Sequence, residues 1–143
     1  MPLNLAAAQK IVSEALAHAH KSKFQPLSVV VLDARAVVIA VATEDGTSLK
    51  RFEIARGKAN ATLTLNMGGR KLGDMATERP HFFAGLAHVA GDGGVVPVAG
   101  GVLVKDQAGA VLGAVGVSGD VSDKDEAAAI AGITAAGFVA DGG

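Results

Sequence analysis

Leu27-Ser28-Val29-Val30-Val31-Leu32, then Asp33-Ala34-Arg35-Ala36, then Val37-Val38-Ile39-Ala40-Val41-Ala42-Thr43 decide the fold. The first run is dense in β-branched residues and reads as a well-buried strand rather than a helix. The next four residues read as a turn. A connection this short forces the strands on either side to run antiparallel, as a hairpin.

Upstream of Pro26, Leu5, Ala8, Val12, Ala15, Leu16 and Ala19 recur at spacings of three and four, with Asn4, Gln9, Lys10, Ser13 and Lys21 between them. That pattern predicts an amphipathic first helix ending near Lys21 to Phe24. Downstream, Glu44-Asp45-Gly46-Thr47 closes the second strand. Ser48 is placed to cap a helix running to about Met67, with Phe52, Ala55, Ala59, Thr62 and Leu63 inward and Lys50, Arg51 and Lys58 on its surface. Gly68-Gly69 reads as its stop. Arg70 to Arg79 is polar and reads as irregular, after which Pro80 opens a short helical turn through Phe82, Phe83, Leu86 and Val89.

Gly91-Asp92-Gly93-Gly94 and Gly100-Gly101 bracket Val95-Val96-Pro97-Val98, where Pro97 implies a sheet edge. Val102-Leu103-Val104 reads as a strand, Asp106-Gln107-Ala108-Gly109 as a second hairpin turn, and Ala110 to Ser118 as the last strand. Ser122-Asp123-Lys124-Asp125-Glu126 resembles a cap followed by first-turn acids, which favour the positive end of a helix dipole. The final helix turns Ala127, Ile130, Ile133, Thr134 and Phe138 inward. Helices therefore cover one or both faces of a mainly antiparallel sheet, an α+β architecture. Val31-x-Asp33-x-x-Ala36-x-Val38 echoes Val104-x-Asp106-x-x-Gly109-x-Val111, which reads as two similar hairpins.

The 143 residues suit a single domain spanning 1–143, and with 50% of them hydrophobic a core forms without staples. A formal net charge of -1 leaves no basic field for nucleic acid. The absence of cysteine excludes disulfides, thiolate metal sites and a cysteine nucleophile, and suits a reducing compartment. The start Met1-Pro2-Leu3-Asn4-Leu5 does not read as a secretory signal, and no uncharged apolar run reaches about 18 residues. A cytoplasmic protein that engages neither nucleic acid nor membrane is expected.

Gly113-Ala114-Val115-Gly116-Val117-Ser118-Gly119, Gly100-Gly101-Val102, Glu53-Ile54-Ala55-Arg56-Gly57-Lys58-Ala59 and Asp125-Glu126 together resemble the GlcG/HbpS family, also found as the C-terminal domain of PduO-type proteins. The resemblance spans nearly the whole chain. It implies a profilin-like or PAS-like α-β-α fold with about five antiparallel strands, homo-oligomers that often reach octamers, and, for some members, haem binding. Ala36 stands where the family usually has Gly, and Gly91-Asp92-Gly93-Gly94 replaces a more apolar approach to the Gly-Gly-Val strand.

Histidine supplies the only good haem ligands here, since Cys and Tyr are absent and the three Met are poorly placed. His18 falls at the margin of the buried stripe of the first helix, whereas His20 is rotated by roughly 200° from it. His81 and His88 flank Phe82 and Phe83, a possible wall for a flat tetrapyrrole. Seven residues apart, they would lie roughly 10 Å from one another on a helix, too far to share one metal ion. His18 and His88 are the candidate iron ligands, and Arg56 and Lys58 the candidate contacts for a ligand's acidic groups.

Seven of the thirteen basic residues lie between Lys50 and Arg79, and Asp120, Asp123, Asp125 and Glu126 cluster later. These opposite patches can meet across subunits. Gly113 to Gly119 lacks the lysine of a phosphate loop, and its glycines suggest close backbone approach at a subunit contact or a ligand. The leading expectation is an oligomeric binder of a small ligand, haem first. The alternative is an enzyme acting on a carboxylated or aromatic metabolite, with His81 or His88 as general base and Arg56 as carboxylate clamp.

Overall fold

The computed structural model describes residues 1–143. Helix α1 (Leu5–Lys21) begins at Asn4, whose side-chain oxygen accepts from the Ala7 N–H. Strands β1 (Ser28–Asp33) and β2 (Val38–Thr43) form the expected hairpin. Asp33 Oδ1 accepts from the Arg35 and Val37 N–H groups, and Ala36 sits at φ 64°, a conformation that explains a glycine preference there. The second hairpin joins β3 (Gly101–Lys105) to β4 (Val111–Ser118) and repeats the device. Asp106 Oδ1 accepts from Ala108 and Ala110, and Gly109 takes φ 90°. Each hairpin also carries a register shift, at Val31/Leu32 and Val104/Lys105, so the sequence echo is a repeated turn geometry.

The five-stranded sheet has the order β2-β1-β4-β3-β5 and every pairing is antiparallel. Strand β5 (Val139–Asp141) follows α5 (Ser122–Ala135), where only helix was expected. Gly137 at φ 91° turns the chain there and lets it pair with the free edge of β3. On one face, Val29, Val31, Val102, Val104, Val115 and Val117 pack against α1 and α5. The opposite face receives α2 (Arg51–Leu65), with Ala55 and Ala59 on Val30, Leu32 and Ala114.

Gly101 and Gly116 pair across β3 and β4 beneath α2. A Cβ on Gly116 would lie 1.8 Å from the Ala55 carbonyl oxygen, and one on Gly101 would lie 2.3 Å from that of Lys58. The close approach inferred from these glycines is thus to a helix of the same chain, not to a subunit or ligand. Helix α2 is then overlaid from outside. The Val96 N–H donates to Gly57 O at 3.1 Å, and Asn60 Nδ2 donates to Gly94 O at 2.8 Å. Residues 95–98 therefore cross the helix instead of joining the sheet.

Helix α2 starts at Arg51 with no side-chain cap, and Ser48 instead accepts from Arg51 Nε. It ends at Asn66, which adopts φ 55°. Gly68-Gly69 then opens α3 (Gly69–Glu78), correcting the expected irregular stretch. Leu72, Met75 and Ala76 give α3 a narrow apolar stripe against Ala61, Phe83 and Leu86. The many charges around that stripe hid it. Helix α4 (Pro80–Val89) packs on this third cluster, with only Phe83 and Leu86 buried.

Candidate ligand-binding surface

The four histidines take different environments. His20 is exposed and its Nε2 contacts Glu44 Oε2, while Glu44 Oε1 accepts from the Leu27 N–H at 2.8 Å. His81 and His88 stand exposed on α4, with Phe82 beside them at 39% exposure. The Arg79 guanidinium lies 4.4 Å from the Phe82 ring centroid, and Phe83 turns inward.

His18 is half-buried, and its ring meets Phe24 edge-on with centroids 5.7 Å apart. Local sequence makes this contact. The Lys23 N–H donates to His20 O and the Phe24 N–H to Ala19 O, with Lys23 at φ 61°. This is a Schellman ending, which folds the residue after the left-handed position back over the last turn. Lys124 Nζ of α5 lies 5.7 Å from the Phe24 ring centroid. His18, Phe24 and Lys124 thus form a platform of one imidazole, one aromatic ring and one ammonium.

His18 on the first helix and the Phe82-Phe83 segment with His88, both expected to serve one ligand, do not share a recess within one chain. Helix α1 lies on one face of the sheet, whereas α4 stacks outside α2 on the other. A different concavity of about 400 Å³ opens between α1 and edge strand β2, lined by Leu5, Gln9, Val12, Ser13, Ile39 and Val41. No histidine or phenylalanine borders it.

Lys58, expected on the helix surface, is enclosed. Its Nζ donates to Asp125 Oδ2 at 2.9 Å and to Val117 O at 3.0 Å, with the two side chains 4% and 1% exposed. Asp125 Oδ1 accepts from the Asp120 N–H at 3.0 Å. Burial pushes the Asp125 carboxyl above its usual range, outweighing the pull of Lys58. The pair ties α2 to α5 and leaves neither group free for a ligand. Glu126 and Asp123 accept from Arg70, so the oppositely charged stretches meet inside one chain. Arg56 differs: it is half-buried, and its Nε is shut from solvent without an acceptor.

Sequence reasoning missed Phe24, Lys124 and Asp120. Phe24 had a local signal, lying six residues after His18 and just beyond a helix end. Lys124 and Asp120 had none, because the partners that matter, the Phe24 ring and the Gln25 N–H, lie far back along the chain after α1.

A five-stranded antiparallel sheet with helices on both faces is an α+β fold consistent with a profilin-like arrangement. Its surface carries an imidazole platform on one side and a basic, aromatic helix on the other. Residues 3–134 match the family described as haem degrading protein HbpS-like, and the chain belongs to that family. No curated protein sequence matches it.

Among solved structures, a PduOC:haem complex is similar at 21% identity, covering 96% of this chain and 97% of that one, with a TM-score of 0.83. A double mutant of Streptomyces reticuli HbpS is similar at 27% identity over 94% of this chain and 87% of that one, TM-score 0.80. Klebsiella pneumoniae ORFY follows at 22% over 93% and 89%, TM-score 0.80. The solved structures below 25% identity show a shared fold. No helix is long and apolar enough to cross a membrane.

Proposed function

We propose that this chain binds haem or a related tetrapyrrole at its surface through His18, as part of an assembly of copies of itself. The carrying observation is the platform at the end of α1. His18 has no carboxylate partner, unlike His20, and its ring meets Phe24, which also has a cation near it. These groups fit one side of a flat acidic ligand: an imidazole for iron, Phe24 for the ring and Lys124 for a carboxylate. Bound haem would supply the redox chemistry of its iron. The protein would supply ligation, an apolar edge and a counter-charge.

A single platform covers one face of such a ligand, and a second wall is required to shield it. Helix α4 supplies a suitable surface, with His81, Phe82 and His88 exposed and Val89 at 77% exposure. Assembly of copies, up to eight, buries that surface and brings it to the ligand. A cytoplasmic setting suits a chain without cysteine.

Hemin titration tests this reading. A Soret band that shifts on binding is expected for the natural chain, is lost or displaced in His18→Ala, and is weakened in His88→Ala. An unchanged spectrum in His18→Ala would overturn the assignment. Light scattering with and without hemin gives the assembly size.

The orphaned Arg56 Nε favours a second reading, in which a small carboxylated ligand binds on that flank of α2. Arg56→Ala should then abolish the thermal stabilisation produced by such carboxylates while His18→Ala retains it. Equal stabilisation of Arg56→Ala and the natural chain rejects this reading.

A further inference from the structure

The loop between α1 and β1 carries Phe24, and two carboxylates from distant elements hold its backbone. Glu44, just after β2, accepts from the Leu27 N–H. Asp120, in the turn between β4 and α5, accepts from the Gln25 N–H through Oδ2 at 2.8 Å. Asp120 Oδ1 also accepts from the Val121 N–H and stands 4.0 Å from Lys124 Nζ. One carboxylate therefore grips the residue next to Phe24 and attracts the ammonium that lies near the Phe24 ring.

Asp120 is itself anchored. Its N–H donates to Asp125 Oδ1, and Asp125 is held by Lys58 from α2 on the opposite side of the sheet. Close packing backs this arrangement, since a Cβ on Gly119 would lie 2.1 Å from Pro26 O. Bonds from Gln25 and Val121 keep the Asp120 carboxyl below its ordinary range, so it remains ionised near neutrality.

We propose that Asp120 is the positioning residue of the His18 platform, setting Phe24 through the Gln25 N–H and Lys124 through its charge, without touching the ligand. The role in ligand binding rests on the haem reading above. The positioning itself is a property of the chain alone.

Two measurements separate them. In the ligand-free protein, a proton nuclear Overhauser contact between the His18 and Phe24 rings is expected. Asp120→Ala should lose it or weaken it several-fold. Asp120→Asn should retain part of it, because one amide oxygen serves only one of the two N–H donors that the carboxylate serves. If Asp120→Ala does not fold, the Asn variant carries the test alone, and Lys124→Ala isolates the contribution of the cation. A full His18–Phe24 contact in the folded Ala variant, or in the Asn variant where Ala fails to fold, overturns the proposal.

In the hemin titration, the same substitution should weaken affinity about tenfold while leaving the Soret position of the bound state unchanged, because His18 still ligates. Unchanged affinity beside an altered ring contact refutes the binding role of Asp120. Unchanged spectra in His18→Ala instead sink the haem reading and leave the ring-contact result standing.

Discussion

Replacing Lys58 by Met, Asp125 by Asn, and both together probes the link between α2 and α5. At 2.9 Å and an effective dielectric constant of about 20, the attraction between the two charges is about 6 kcal/mol. Removing each ion from water costs several kcal/mol, so the intact pair contributes little net stability. The raised carboxyl of Asp125 expresses that balance, with burial outweighing its partner. Deleting one partner leaves the other buried and uncompensated, at a cost of about 3–5 kcal/mol. That is a large share of the ~5–15 kcal/mol expected for a whole domain.

Urea unfolding at pH 7 should show each single variant strongly destabilised and the double variant much less so than the sum of the two. The pH dependence has a defined sign. A carboxyl whose folded value lies above its unfolded value binds its proton more tightly when folded. Its contribution is fully present below the unfolded value near 3.8 and is lost as pH rises through the folded value. Lys58→Met removes the cation and raises that carboxyl further, so the cost of this substitution should shrink as pH falls. Single variants costing under about 1 kcal/mol with an additive double variant would refute the reasoning, since a pair this enclosed must couple.

Two further substitutions test the packing. Gly116→Ala places a carbon 1.8 Å from Ala55 O, against an ordinary contact of about 3.3 Å, so α2 must recede by about 1.5 Å. A loss of at least about 1–3 kcal/mol is expected, whereas Gly85→Ala meets nothing within 4 Å and should gain about 1 kcal/mol. Both are read as urea midpoints. Ala36→Gly relieves a left-handed alanine and should stabilise by about 0.5–1 kcal/mol, with the same measurement as its check.

Much of the architecture was legible because it is local. Period-two and period-3.6 patterns, two Asp-anchored turns and a helix N-terminus rich in acids each act within a few residues, so the four main strands and three main helices follow from the chain. Helix α3 escaped because its apolar stripe is only Leu72, Met75 and Ala76, and its partner surface comes from α2 and α4. Strand β5 escaped because three residues carry no period, and only the free edge of β3 makes them a strand.

For the candidate site, composition singled out the histidines and helical spacing singled out His18. The aromatic neighbour of His18 comes from the local helix ending, whereas which lysine is free is decided by elements that meet across long separations. Lys58 looked like a surface cation until α5 brought Asp125 onto it, and nothing near Lys124 along the chain signals the Phe24 ring 5.7 Å from its Nζ. Backbone patterning is written in neighbours along the chain, so the sequence alone determines it. The pairing of charges depends on which buried positions coincide in space, and only the folded packing sets that.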